Sequence, residues 1–94
     1  MGAASFDLDA SWQVHPQVSV RPERFGALLY HFGTRRLSFL KTEALHMIVS
    51  SLASHPSARA ACQAAGVPPE QLPSYARALA TLQASQMICA RTDA

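Results

Sequence analysis

Little in this chain could assemble a catalytic or metal centre. Its 94 residues include two cysteines, Cys62 and Cys89, and no CxxC spacing. The four histidines, His15, His31, His46 and His55, are scattered, with no pair at i,i+4 and no ligand-rich cluster around any of them. Acyl transfer or hydrolysis needs a nucleophile, a base within reach and an orienting group, and six scattered acids beside these histidines offer no such set. P-loop, GxGxxG and GxSxG patterns are absent as well. These absences argue against an enzyme, against a metal and against a cofactor. The cysteines read as small apolar side chains, Cys62 on a helix and Cys89 near the C-terminus.

Long apolar runs are also missing. With 49% hydrophobic and 15% charged residues, the chain is too apolar for disorder and too interrupted by charge to span a membrane. The opening MGAASFDLDASW has no basic stretch leading into an apolar one, so no secretion signal is expected and a cytoplasmic location follows by default. The length suits one domain that hides roughly 60 to 65% of its unfolded surface, which leaves little room for a deep cofactor cleft.

What the chain does have is concentrated in residues 18–40, VSVRPERFGALLYHFGTRRLSFL. The net charge is only +2, yet Arg21, Arg24, Arg35, Arg36 and Lys41 supply five of the eight basic residues, while the stretch 42–94 balances Arg59, Arg77 and Arg91 against Glu43, Glu70 and Asp93. Such a cluster reads either as a solvated face that discourages edge aggregation or as a basic lip beside a groove for an acidic peptide.

Residues 1–10 are expected to form a flexible tail, 11–90 the folded domain and 91–94 a short C-terminal tail. Trp12, Val14, Val18 and Val20 alternate with polar residues as a strand does, and Pro16 divides the run into two short pieces or marks an edge. Residues 27–32 and 36–40 are rich in leucine and aromatics and flank Gly33-Thr34-Arg35, a connection suited to an antiparallel hairpin. The near-continuous apolar character of 27–32 predicts a middle strand covered on both faces. On 36–40, Leu37 and Phe39 share one face, and Ser38 and Leu40 the other. Because only helices follow, an outer strand edge is expected to stay unpaired.

The helices carry clear boundary signals. Thr42 can cap a first helix, Glu43 favours its positive end, and Leu45, Ile48, Val49 and Leu52 repeat on one face until His55-Pro56 ends it. A second, shorter helix runs from about Pro56 to Ala65, with Pro56 or Ser57 at its start and Gly66 at its stop. A third begins near Glu70 or Pro73 and carries the stripe Leu72, Tyr75, Ala76, Leu79 and Leu82. Met87 and Ile88 are expected to close the core as an extended end. The fold class is therefore α+β: an N-terminal three-stranded antiparallel sheet followed by three helices, the inventory of a winged helix-turn-helix domain. That architecture serves both DNA reading and peptide capture. A DNA-binding regulator needs cations on its recognition helix, and Arg77 is the only one between Arg59 and Arg91, so charge favours a peptide over nucleic acid.

Three further segments carry a resemblance. The corner Val20-Arg21-Pro22-Glu23, the run Phe25-Gly26-Ala27-Leu28-Leu29-Tyr30 and the run from Phe32 through Gly33-Thr34-Arg35-Arg36 to Leu40 look like the mycofactocin precursor-peptide chaperone (MftB-type) family. The likeness continues through His55-Pro56-Ser57, Ala64-Ala65-Gly66-Val67 and Leu72-Pro73, covering about 12–88. This family is similar to PqqD-like domains, the recognition elements of ribosomal peptide modification pathways. The resemblance implies a non-catalytic partner that binds a ribosomal precursor peptide and delivers it to a radical S-adenosylmethionine maturase, which would hold any iron-sulfur clusters. It further implies that the leader adds as a strand to the third strand, at Arg35, Arg36, Leu37, Ser38, Phe39 and Leu40, against Tyr75, Leu79 and Leu82 of the third helix. Phe39, Leu79 and Leu82 read equally well as core, whereas Tyr75 and the two arginines read as exposed contacts.

Overall fold

The computed structural model describes residues 6–91. Among them the order is β1 (Trp12–Val14), β2 (Val18–Glu23), β3 (Gly26–His31), β4 (Leu37–Leu40), α1 (Glu43–Ser51), α2 (Ala58–Ala64), α3 (Leu72–Ala84) and β5 (Ile88–Ala90). Short 3-10 turns, Leu52–Ser54 and Pro69–Gln71, extend α1 and lead into α3. The α+β class is the one the residue pattern predicts.

The first two helices start where a side chain supplies a missing acceptor. Thr42 Oγ1 accepts from the Leu45 N–H at 3.1 Å, and Ser57 Oγ from the Ala60 N–H at 3.1 Å. Gly66 follows α2 at φ +84°, a left-handed conformation that removes the strain any larger residue would carry there. Pro73 sits in the first turn of α3, where its missing N–H costs nothing.

The main sheet is antiparallel with the order β2-β3-β4, and Leu28 faces Phe39 and Tyr30 faces Leu37 across the last pair. At Gly26 a side chain would collide with the Leu40 carbonyl, since a Cβ there would lie 1.7 Å from its oxygen. The core is built on one face of this sheet: Ala27, Leu29 and Leu40 meet Ile48, Val49 and Leu52 of the α1 region, Cys62 of α2, Leu79 and Leu82 of α3, and Met87 and Ile88. Each large aliphatic side chain so buried contributes on the order of 2 kcal/mol.

Three expectations change. The strand pieces on either side of Pro16 enter different sheets: β1 leaves the main sheet and pairs antiparallel with β5, Trp12 opposite Ala90. β3 is not covered on both faces; the helices pack against Ala27 and Leu29, while Leu28 and Tyr30 are only half-buried on a face that carries no second layer among the described residues. The tail expected over 1–10 is ordered from residue 6 onward. Phe6 is buried and stacks on Trp12 at 4.5 Å, the Leu8 and Ala10 carbonyls accept from the first N–H groups of α2, and Asp9 binds Arg59 at 2.8 Å. That guanidinium holds the Asp9 carboxyl below its ordinary range, chiefly by hydrogen bonding. Residues 1–5 and 92–94 lie outside the described residues; Arg91 is tied in by its N–H to the Ser11 carbonyl, 3.0 Å.

Candidate peptide-binding edge

β4 owes its position to the turn before it. The His31 N–H donates to the Arg36 carbonyl at 3.0 Å and the Arg35 N–H to the His31 carbonyl at 2.7 Å, closing the hairpin. The left-handed residue of this turn is Arg35, φ 64°, and not Gly33. His31, 2% exposed, braces the turn from inside: its Nδ1 accepts from the N–H groups of Gly33 (3.0 Å) and Thr34 (3.1 Å), and its ring lies 4.5 Å from that of His15.

The His31 to Arg36 bond also sets the phase of the ladder. In an antiparallel pair, residues alternate between bonding the neighbour and facing away. Arg36, Ser38 and Leu40 therefore turn their backbone toward β3, and Leu37 and Phe39 turn theirs to the open edge. The opposite edge is blunted. There the Phe32 N–H to Gln17 carbonyl bond, 2.8 Å, sets the phase so that Val18, Val20 and Pro22 of β2 face outward. The Val18 N–H is already taken by the His15 carbonyl at 2.9 Å, and Pro22 has none to give. Of the two edges of this sheet, β4 is the one that keeps an uninterrupted set of donors and acceptors among the described residues.

Beside β4 runs a cleft of about 390 Å³ between the strand and α3, lined by Ser38, Phe39, Leu40, Lys41, Leu45, Ala78, Thr81 and Leu82. A second hollow of about 320 Å³ lies further along the same elements, between Thr34 and Arg36 on one side and Ala84, Ser85 and Gln86 on the other. The α3 wall is thus made of small residues, Ala78, Thr81, Ala84 and Ser85, which leave room for an extended backbone. The linings carry two cations, Arg36 and Lys41, and no carboxylate.

The chain matches the family described as Peptide chaperone MftB family over residues 11–89. It belongs to that family. It is 55% identical over 87 residues to Peptide chaperone MftB of Mycobacterium ulcerans, covering 93% of this chain and 80% of the relative. To Peptide chaperone MftB of Mycolicibacterium smegmatis it is 57% identical over 84 residues, 89% and 82% of the two chains. To that of Mycobacterium tuberculosis it is 51% identical over 89 residues, 95% and 82%. No solved structure matches. Membership in the MftB family makes this chain a non-catalytic peptide chaperone.

The residues expected at the site fall into three groups. Arg35, Arg36, Leu37 and Phe39 are exposed on or beside the free edge, Leu37 by 61% and Phe39 by 45%. Ser38 and Leu82 line the cleft together with Phe39 and Leu40, Leu82 as a largely buried floor. Leu40 and Leu79 are core, and Tyr75 is half-buried outside the lining of either hollow. The wall residues Ala78, Thr81 and Ser85 lie beside the apolar stripe and not on it; their signal in the sequence is the row of small residues at i, i+3 and i+7. Nothing here suggests a hidden nucleophile. Cys62 is buried and burial pushes its thiol up, with Arg59 offsetting part of the shift. Among the described residues no group of three His, Cys, Asp or Glu could hold a metal ion, and no helix is long and apolar enough to cross a membrane.

Proposed function

We propose that this chain binds the mycofactocin precursor peptide by strand addition to β4 and delivers it, in the cytoplasm, to a radical S-adenosylmethionine maturase. The observation that carries this reading is the asymmetry of the two sheet edges: β2 lacks two of its three outward N–H donors, at Val18 and Pro22, whereas β4 keeps those of Leu37 and Phe39 beside a cleft walled by small residues. Main-chain bonding to β4 supplies affinity with little demand on sequence, and the cleft accepts every second side chain of the added strand. Arg36 and Lys41 favour an acidic leader. The arrangement suits a PqqD-like recognition element, in which chemistry belongs to the partner. DNA remains a poor fit, because Arg77 is the one cation on α3.

Titrating the protein with a synthetic leader segment of the precursor while following backbone amide shifts tests the proposal. Shifts should concentrate at residues 36–41 and 78–85. Shifts confined to α1 and α2, or none at micromolar peptide, would sink strand addition.

A further inference from the structure

The sheet face turned away from the core is apolar and bare. Phe25, Phe32 and Leu37 are 60%, 60% and 61% exposed and Phe39 45%, with the half-buried Leu28 and Tyr30 between them. They form one patch: Leu28 pairs with Phe39 and Tyr30 with Leu37 across the strands, Phe25 meets Phe39 edge-on at 5.9 Å, and Phe32 meets Tyr30 at 5.2 Å. The apolar area left open is on the order of 400 Å², as large as the largest patch of a typical monomer and commonly a binding site at that size.

Two observations define what covers it. Cations border the patch: Arg21 stands opposite Leu28 on the same face, Arg24 adjoins Phe25, and Arg35 lies in the turn that follows Phe32. The one carboxylate nearby, Glu23, is 3.8 Å from Arg21. A second copy docking here would oppose two basic rims, and the patch supplies only about half of the 800 Å² per partner that a stable dimer uses.

We infer that this outer face is the docking surface for the modifying enzyme, which meets it with an apolar surface rimmed by acidic residues. The inference rests on the delivery role proposed above. It assigns adjoining surfaces to the two partners: the peptide takes the edge and the cleft on the core side of β4, the enzyme takes the outer side of the sheet, and Leu37 and Phe39 border both. The small apolar area fits an encounter that must be released after each turnover.

The test uses the intact chain, the purified radical S-adenosylmethionine maturase of the pathway and the synthetic leader. Phe25→Ser with Phe32→Ser removes two exposed rings that lie in turns, outside the strand ladder. This variant should bind the enzyme at least about tenfold more weakly and the leader within about twofold of wild type. Arg21→Glu with Arg24→Glu reads the same face without touching an apolar group; it should weaken enzyme binding at low salt and lose that effect as salt rises. Wild type that never binds the enzyme, with or without leader, would overturn the delivery role itself. Wild type that binds, with both variants binding equally well, would overturn only the assignment of the face. Two other occupants would also overturn it: a wild-type dimer at about ten micromolar that the double serine variant abolishes, or retention on phosphatidylglycerol vesicles that the same variant loses while enzyme binding is unchanged.

Discussion

His31, almost wholly buried, holds the turn that positions the proposed binding edge. Its Nδ1 accepts two turn N–H groups, so in the neutral ring the proton sits on Nε2, which is buried and meets no acceptor among the described residues. The molecule tolerates that unsatisfied donor because the two bonds accepted at Nδ1 hold the turn against the left-handed strain at Arg35. His31→Ala should therefore cost about 2 to 3 kcal/mol, from the lost acceptor together with the lost packing against His15. His31→Asn, whose amide oxygen can replace one of the bonds, should cost about half as much. Denaturant unfolding of both variants decides between acceptor and packing; equal losses would mean that the ring matters only as volume.

At the scale of elements, strand addition and groove binding make different demands on β4. Leu37 pairs with Tyr30 at a position whose backbone faces the open edge, so a proline there removes no ladder bond to β3. Leu37→Pro should leave stability within about 1 kcal/mol and lower leader affinity by about tenfold or more, because the ring replaces an edge donor and obstructs an incoming strand. Leu37→Ala is the control, losing side-chain contact alone, and calorimetric titration of both variants with the leader gives the comparison. If alanine and proline weaken binding equally, backbone pairing is not its basis. The same element shows what could be foreseen. The free edge, the alternation of Leu37 and Phe39 against Ser38 and Leu40, and the capping by Thr42, Ser57 and Gly66 were legible, since each depends on a few adjacent residues. The partner of β1 was not, because Trp12 and Ala90 stand at opposite ends of the chain and no local pattern links them. The half-open face of β3 differs from the expectation for a related reason: an apolar run records that burial is favourable and not whether a second layer exists to provide it.

For the whole molecule, the two proposed surfaces lie on one sheet and cannot be independent. A leader strand added beside β4 continues the pleat, so every second leader side chain falls on the outer face next to Leu37 and Phe39. The enzyme then meets a surface made by both chains, wider than the chaperone's own patch and present only when peptide is bound. Saturating leader should tighten the enzyme's affinity for the chaperone by about tenfold, a coupling of roughly 1.4 kcal/mol within the usual range for linked sites. Linkage requires the enzyme to raise leader affinity by the same factor, so the effect can be measured from both directions with one set of proteins. Substituting serine at the leader positions that face outward should abolish the coupling and leave leader binding to the chaperone nearly unchanged. Enzyme affinity that is indifferent to leader, measured on the same preparation, would show that the outer face is read without the peptide. Selection of loaded over empty chaperone would then have to come from the enzyme's own contact with the precursor.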